Sequence, residues 1–226
     1  MALWALLVAT DPANLPELDP AISQRLARGC NVLGVATEHS IQERLLDYLA
    51  LMIKWNKAYN LTAVRDPAQM VTRHLLDSLA IVPHVRGQRL IDVGTGGGLP
   101  GVPLSILFPE REFHLLDSNG KKTRFLFQVK TALGLDNMTV HQARVESVEL
   151  DPFDAVLSRA FASLEDMVEG CRHLLAADGH FLAMKGAYPT EEIAAVEDRC
   201  QLQAVHALTV PGLGEQRHLV DMTLRD

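Results

Sequence analysis

The stretch RLIDVGTGGGLPGVPLSI, residues 89–106, sets a carboxylate, Asp92, just ahead of a cluster of glycines, Gly94, Gly96, Gly97 and Gly98. The apolar run before the glycines reads as a strand. In an open α/β sheet the turn after such a strand is where backbone comes nearest to a ligand, and residues without a Cβ leave the room for it. Gly96, Gly98 and Gly101 formally satisfy G-x-G-x-x-G, but the first of them lies beyond the strand and Pro100 interrupts the motif. A dinucleotide is therefore weakly supported. Asp92 changes the balance: a carboxylate aimed into the turn repels a pyrophosphate and favours a ligand that is cationic there, such as the ammonium or sulfonium of S-adenosylmethionine. A second acid, Asp117, ends the next apolar run, EFHLLD, where it can accept hydrogen bonds from ribose hydroxyls. That position suits NAD and S-adenosylmethionine alike. The two acids together, on consecutive strands, favour the methyl donor.

Further candidates cluster where basic residues stand beside polar and aromatic ones, in WNKAYNLTAVRD, NGKKTRF and LSRAF. The formal net charge of −7 weighs against a protein coated in basic surface, since neutralising phosphates takes Lys and Arg. Charge can be segregated, however, and these segments are local basic sites. Trp55, Lys57 and Tyr59 are expected to face the cleft. Arg144, Arg159 and Lys185 fall at or just beyond the carboxyl ends of predicted strands, where charges point into a cleft, and ARVESV places Glu146 or nearby backbone N–H groups within reach of an adenine edge. The histidines, His39, His74 and His84 among them, show no ligand spacing, so no metal is expected. Cys30, Cys171 and Cys200 are too widely spaced for a disulfide framework or a zinc site and read as buried small hydrophobes in a reducing compartment.

The elements that must position these residues follow from periodicity. In TEHSIQERLLDYLALMIKWNK, Ile41, Leu45, Leu49, Met52 and Ile53 recur at helical spacing, with Thr37 available as N-cap. RDPAQMVTRHLLDSLAIV starts a second helix, capped by Asp66 with Pro67 at its first position. Beyond Gly87 short apolar runs alternate with helical segments: RLIDVG, EFHLLD, NMTVHQA, FDAVLSR and HFLAMKG. Between them lie a helix opened by Pro100 and Pro103, one over NGKKTRFLFQVKTALG stopped by Gly134, and one capped by Ser163 with Asp166 completing a capping box. The tail LQAVHALTVPGLGEQRHLVDMTLRD reads as two strands around a Gly/Pro loop. Alternation of this kind implies βαβ units and an α/β fold with a doubly wound, mostly parallel sheet that ends in an antiparallel hairpin. The expected organisation is a variable, helical N-terminal extension over 1–36, a helical subdomain over 37–86 and a sheet domain over 87–226 that forms one unit with it. The apolar opening MALWALLVA lacks a basic flank and is too short to span a membrane, so a cytoplasmic protein with no membrane partner is expected.

Six segments in one order, KWNKAYNLTAVRDP, RHLLDSLA, DVGTGGGLPGVPLSI, LLDSNGKKTRFLFQV, SRAFASLEDM and MKG, closely resemble the bacterial ribosomal small-subunit methyltransferase G family, also called glucose-inhibited division protein B. The resemblance covers roughly residues 37–224; the chain differs from the usual pattern at Gly97, at Asn119 and in its long N-terminal extension. It implies a class I, Rossmann-like S-adenosylmethionine-dependent methyltransferase fold of seven strands, and transfer of a methyl group to N7 of a guanine in 16S ribosomal RNA, in the loop around position 527. By that resemblance Gly94 and Leu99 line the cofactor from the turn, Val145 and Glu146 frame the adenine, and Arg159 reaches the cofactor pocket.

The expected cofactor set is thus Asp92, Gly94, Gly96, Gly98, Leu99, Asp117, Val145, Glu146 and Arg159. Guanine N7 carries an in-plane lone pair and no proton, so transfer needs alignment and desolvation rather than a general base. Arg159 and Lys185 are accordingly expected to position the substrate, and Lys57, Arg73, Lys121, Lys122, Arg144 and Lys185 to meet RNA. The partner is 16S ribosomal RNA or the small subunit, with no stable protein partner and a monomeric state expected. The competing readings are a small-molecule methyltransferase, which leaves the basic and aromatic segment around Trp55 unexplained, and a non-catalytic, nucleotide-sensing RNA-binding protein on the same fold.

Overall fold

A carboxylate can sit at the mouth of a glycine turn only if the strand carrying it is held from both sides, and the sheet provides this. The computed structural model describes residues 15–35 and 38–225; the apolar opening and the expected cap Thr37 lie outside them. The strands are β1 (Arg89–Val93), β2 (Glu112–Asp117), β3 (Met138–Gln142), β4 (Phe153–Ser158), β5 (Leu175–Lys185), β6 (Cys200–Leu208) and β7 (Arg217–Leu224). They form one sheet in the order β3-β2-β1-β4-β5-β7-β6. β1 to β5 are parallel, and β7 runs antiparallel between β5 and β6. The expected doubly wound sheet with a terminal hairpin is what forms. β5 starts at Leu175, ahead of the apolar run that marks it in the sequence, through a register irregularity opposite β4.

Central parallel strands are covered on both faces and so are apolar at nearly every position. Leu90 packs into the cluster on one face and its neighbour Ile91 into that on the other; Leu115 and Leu116 divide in the same way. The first face is covered by α1 (Pro20–Leu33), α2 (His39–Tyr59), α3 and α5 (Gly120–Leu133). Here α3 denotes Pro67–Met70 running without a break into a π-helical stretch, Val71–Leu76, and a last α turn, Asp77–Leu79. α4 (Gly101–Leu107) follows the glycine turn, and α6 (Leu164–Cys171) and α7 (Thr190–Ala195) lie on the second face. The three cysteines are buried thiols.

Local signals set the helix ends. Asp66 accepts from the N–H groups of Ala68 and Gln69 at the start of α3, and Asn119 from that of Lys121 at the start of α5. Gly134 closes α5 with φ 59°, a left-handed conformation that glycine adopts most readily. Ser163 accepts from the Asp166 N–H at 3.0 Å. The π-helical stretch has no counterpart in the sequence pattern. Its wider turn sits where α3 faces the ends of the strands, a common place for such stretches.

α2 docks against the glycine turn. The Tyr48 hydroxyl donates to the Gly97 carbonyl at 2.6 Å, and the Tyr48 ring packs against Phe125 of α5. Trp55 belongs to the same layer: it is buried and stacks on Tyr59 with ring centroids 5.1 Å apart, tilted against Phe125 at 5.8 Å. The expectation that Trp55 faces the cleft is corrected by this packing. Helical spacing cannot distinguish a ring turned toward a ligand from one turned toward the next helix. Trp55→Ala is expected to lower unfolding free energy by about 3 kcal/mol, the usual cost of emptying an aromatic site. Trp55→Phe should leave RNA affinity at the parent value. Denaturant midpoints alongside an RNA-binding titration check both, and a loss of RNA affinity in Trp55→Phe without loss of stability would restore the cleft-facing reading.

Candidate active site

Parallel β1, β2 and β4 deliver Val93, Asp117 and Ser158 to one edge of the sheet, and the site is built on their carboxyl ends. The Ser158 hydroxyl donates to the Val93 carbonyl at 2.8 Å and accepts from the Ala160 N–H at 3.0 Å, which ties the exit of β4 to the exit of β1. The turn after β1 takes positive φ at Gly94 (69°), Gly96 (63°) and Gly98 (95°). A Cβ at Gly94 would stand 2.6 Å from Ala160 Cβ, and one at Gly98 would meet Val102 at 2.4 Å. At Gly94 and Gly98 the turn is packed too closely for any side chain, whereas at Gly96 only the positive φ favours glycine.

Asp92 lies behind this turn, 1% exposed. Its Oδ2 accepts from the Thr95 hydroxyl at 2.7 Å and from the Gly101 N–H at 2.8 Å. The carboxylate thus closes the loop between the strand and α4 from inside, and Oδ1 is buried with no donor. The sequence reading had the carboxylate aimed at the ligand. The structure corrects that to a brace with one oxygen still lacking a partner. Burial pushes the Asp92 carboxyl up to about 6, against the hydrogen bonds from Thr95 and Gly101 and the field of Arg159. Asp117 does a similar task from β2, where Oδ2 accepts from the Gly96 N–H at 2.9 Å and Oδ1 from the Asn119 N–H at 2.8 Å, with Lys122 Nζ 3.6 Å from Oδ2.

Three connected compartments open along this edge. The first, about 180 Å³, is lined by Gly94, Gly96, Gly97, Leu99 and Arg159 among others, with Met52 reaching in from α2. The second, about 330 Å³, has Gly94, Asp117, Lys122, Arg144, Val145 and Glu146 in its wall. It meets the first at Gly94 and Ala160. The third, about 320 Å³, meets the first at His74 and Arg159 and is otherwise walled by residues such as Arg73, Asp77, Lys185 and Arg217. Of the expected cofactor residues, Gly94, Gly96, Leu99, Asp117, Val145, Glu146 and Arg159 come together on these walls. Asp92 and Gly98 stand behind them.

The expected RNA-facing residues separate into two groups. Lys57, Lys121 and Arg144 are exposed. Arg73 is paired with Glu215 at 2.5 Å. Lys185 is corrected most: its ammonium sits 2.7 Å from Glu192 and donates to the carbonyls of Phe161 and Ala162, which occupies all three of its donors. It holds the loop after β4 in place, and its strand-end position in the sequence gave no sign of the acid on α7. Sequence reasoning missed Asp77 and His74, both inside RHLLDSLA, and Arg217 at the start of β7. His74 is 5% exposed; its Nε2 lies 3.0 Å from the Thr62 hydroxyl, and Nδ1 is buried with no partner. Burial holds the imidazole down at about 4, so it is neutral at pH 7. It also missed Tyr188, a half-exposed ring braced edge-on by His218, whose Nδ1 lies 2.7 Å from the carbonyl of Gly186 in the third compartment's wall.

A family model described as rRNA small subunit methyltransferase G matches residues 41–220. A protein named Ribosomal RNA small subunit methyltransferase G from Pseudomonas paraeruginosa is 58% identical over 200 residues, spanning 88% of this chain and 94% of that protein. Among solved structures, a glycopeptide N-methyltransferase complexed with S-adenosyl-L-methionine is similar with a TM-score of 0.58 at 11% identity, over 68% of this chain and 88% of that one. The ribosomal protein L11 methylase from Lactobacillus delbrueckii subsp. bulgaricus is similar with a TM-score of 0.53 at 17% identity, over 67% and 77%. At these identities the two structures speak for the fold.

The raised Asp92 pKa has a definite consequence for stability. An acid whose folded pKa lies above its ordinary value of 3.8 holds its proton more tightly in the native state, so stability is highest below pH 4 for this group and is lost as pH rises to about 6. The loss is about 3 kcal/mol. Asp92→Asn should lack this decline, so the difference in denaturation free energy between parent and variant should change by that order between pH 4 and pH 6 and then level off. Parallel curves for the two proteins would show that Asp92 is ionised in the fold throughout.

Proposed function

This chain belongs to the rRNA small subunit methyltransferase G family, and on that premise we propose that its cleft binds S-adenosylmethionine and transfers the methyl group to N7 of a guanine in 16S ribosomal RNA, the guanine at position 527. The observation that carries the reading is adjacency: the turn compartment meets the second compartment at Gly94 and Ala160 and the cation-walled third at His74 and Arg159.

The residues present fit the methyl donor. The orphaned Oδ1 of Asp92 beside the turn calls for a hydrogen-bond donor or a positive group. The positive-φ glycines expose backbone on the wall, Asp117 retains lone pairs toward the second compartment, and Val145 and Glu146 supply an apolar face and a polar edge there. When bound, S-adenosylmethionine supplies a methyl group on a sulfonium, open to in-line attack by a nitrogen lone pair. The chain's own part is to align and to exclude water. Arg159, at the junction of first and third compartments, can steady a guanine by its O6 edge while N7 is left free. No side chain has to remove a proton, and His74, neutral at pH 7, adds no further cation beside Arg159 at that junction.

RNA is held, in this reading, by the exposed Lys57, Lys121 and Arg144, with Lys122 and Arg73 acting from within ion pairs and Lys185 fixing the loop after β4. Tyr188 offers a stacking face for an unpaired base, the mode by which single-stranded RNA is usually read. Among the described residues no helix is long and apolar enough to cross a membrane. The enzyme is proposed to act as a monomer in the cytoplasm, where its substrate is assembled.

Mass mapping of modified guanines in small-subunit RNA from cells with and without this protein is expected to show one 7-methylguanine that depends on it. Normal modification in cells lacking it would remove the proposal. With the purified protein, the Lys57→Ala, Lys121→Ala double variant should reduce the slope of log binding constant against log salt by about two phosphate contacts and leave cofactor affinity unchanged.

A further inference from the structure

The third compartment carries more structure than a solvent-facing rim requires. Four cations, Arg73, Arg159, Lys185 and Arg217, stand in its wall with the carboxylate Asp77, while Glu215 pairs with Arg73 and Arg217 and Glu192 with Lys185. Asp77 is 3% exposed, and both its oxygens are engaged. Oδ2 accepts from Arg159 Nη1 at 2.9 Å, and Oδ1 accepts from Arg217 Nε at 3.1 Å. The partners come from distant parts of the chain: α3, the residue after β4 and the first residue of β7. A carboxylate removed from water between two guanidiniums is a poor way to gain stability, since apolar residues of similar volume commonly do as well. It is an effective way to fix where planar forks point. Arg159 Nη1 also donates to the Arg73 carbonyl, while its Nε and Nη2 make no hydrogen bond among the described residues. Those donors are held ready by the clamp.

We propose that this compartment is the receptor for the acceptor base, an extruded purine with its flanking phosphate, and that Asp77 is its positioning residue, holding Arg159 toward the purine O6 edge and Arg217 beside the phosphate. This rests on the reading of the adjoining compartments as the methyl-donor site and adds the acceptor's own seat. The chemistry requires such a division. N7 must keep its lone pair for the incoming methyl, so the base has to be gripped elsewhere, and O6 is the acceptor next to it. Four cations against Asp77, Glu192 and Glu215 leave an excess of one positive charge, which suits a phosphate; Lys185, with its three donors occupied, and Arg217, whose other donors go to Glu215 and the Gln216 carbonyl, contribute through their field. The π-helical stretch Val71–Leu76 sets Arg73 and His74 on the wall immediately before Asp77, so one wide helical turn supplies one side of the receptor.

The test is steady-state methylation of small-subunit RNA by the parent, Asp77→Asn and Arg217→Lys, with calorimetry of S-adenosylmethionine and a thermal melt for each. Asp77→Asn is expected to lower kcat/KM for RNA roughly tenfold to a hundredfold, the effect of one charge-assisted hydrogen bond, with cofactor affinity within about twofold of the parent value, the spread expected when no donor-site contact is lost. A second substrate separates positioning from mere architecture: RNA with 2-aminopurine at the target keeps N7 and lacks O6. That replacement should cost the parent enzyme about as much as Asp77→Asn does and should cost Asp77→Asn little more. If Asp77→Asn does not fold, Arg217→Lys decides, because it keeps the charge and loses the fork; unchanged kcat/KM there overturns the proposal. Full kcat/KM in folded Asp77→Asn, or a loss confined to cofactor affinity, also overturns it. A parent enzyme that binds the cofactor and methylates no guanine in this RNA instead refutes the underlying reading.

Discussion

The buried carboxyl of Asp92, held between the Thr95 hydroxyl and the Gly101 N–H, governs how the rest of the site can be arranged. A turn with three glycines at positive φ has little conformational preference of its own and would lose entropy on ordering. One acceptor that binds both the start and the end of the turn removes that freedom. Asp117 then fixes the middle through the Gly96 N–H, and Tyr48 fixes the outer side through the Gly97 carbonyl. The ligand-facing backbone is therefore set from three elements, β1, β2 and α2, before any ligand arrives. Preorganisation of that kind lowers the ordering cost at binding.

The same device recurs on the acceptor side with the opposite charge in the majority. Asp92 braces backbone donors, whereas Asp77 braces side-chain cations. In each case a carboxylate fixes a different group that faces the cavity, Asp92 from behind the turn and Asp77 from within the wall. Lys185 with Glu192, and Arg73 with Glu215, extend the pattern, since Glu192 also accepts from the Leu164 N–H at the start of α6. Ionised groups around the cleft are thus mostly components of its frame.

This explains which parts were legible in the sequence. Strands covered on both faces announce themselves as short apolar runs, caps such as Asp66 and Ser163 follow from local hydrogen bonding, and the glycine turn is recognisable because only glycine tolerates its backbone. Those signals depend on neighbours in the chain. The mostly parallel sheet and its antiparallel end likewise follow from alternation and the closing Gly/Pro loop, whereas the order of the strands does not. Asp77 depends instead on Arg159 and Arg217, which are far away in sequence, and Lys185 on Glu192, which is close in sequence but is brought to it only by the path of the loop between β5 and α7. A charged residue near a strand end looks the same whether it faces ligand or a partner acid, so Lys185 was read as a contact. Trp55 failed for a related reason: its helix is buried on more than one side, and amphipathic spacing then no longer says which side holds the ligand. The π-helical stretch in α3 leaves no trace in periodicity at all.

The acidic balance of the chain can now be reconciled with an RNA substrate. A formal charge of −7 would oppose broad phosphate binding if the acids were spread evenly, but around the third compartment they are paired with the cations, as Glu215, Glu192 and Asp77 are. An acid in that position does not cancel its partner's usefulness. It restricts the partner's orientation while leaving other donors exposed, as with Nε and Nη2 of Arg159. The arrangement gives up some non-specific attraction to nucleic acid, because paired cations release fewer counterions on contact. In return it discriminates by geometry, since a base must be extruded and seated for those oriented donors to be satisfied. For an enzyme that has to select a single base among many in a folded RNA, weak general adhesion with a demanding seat is the more selective of the two designs, and the acidic composition is consistent with it.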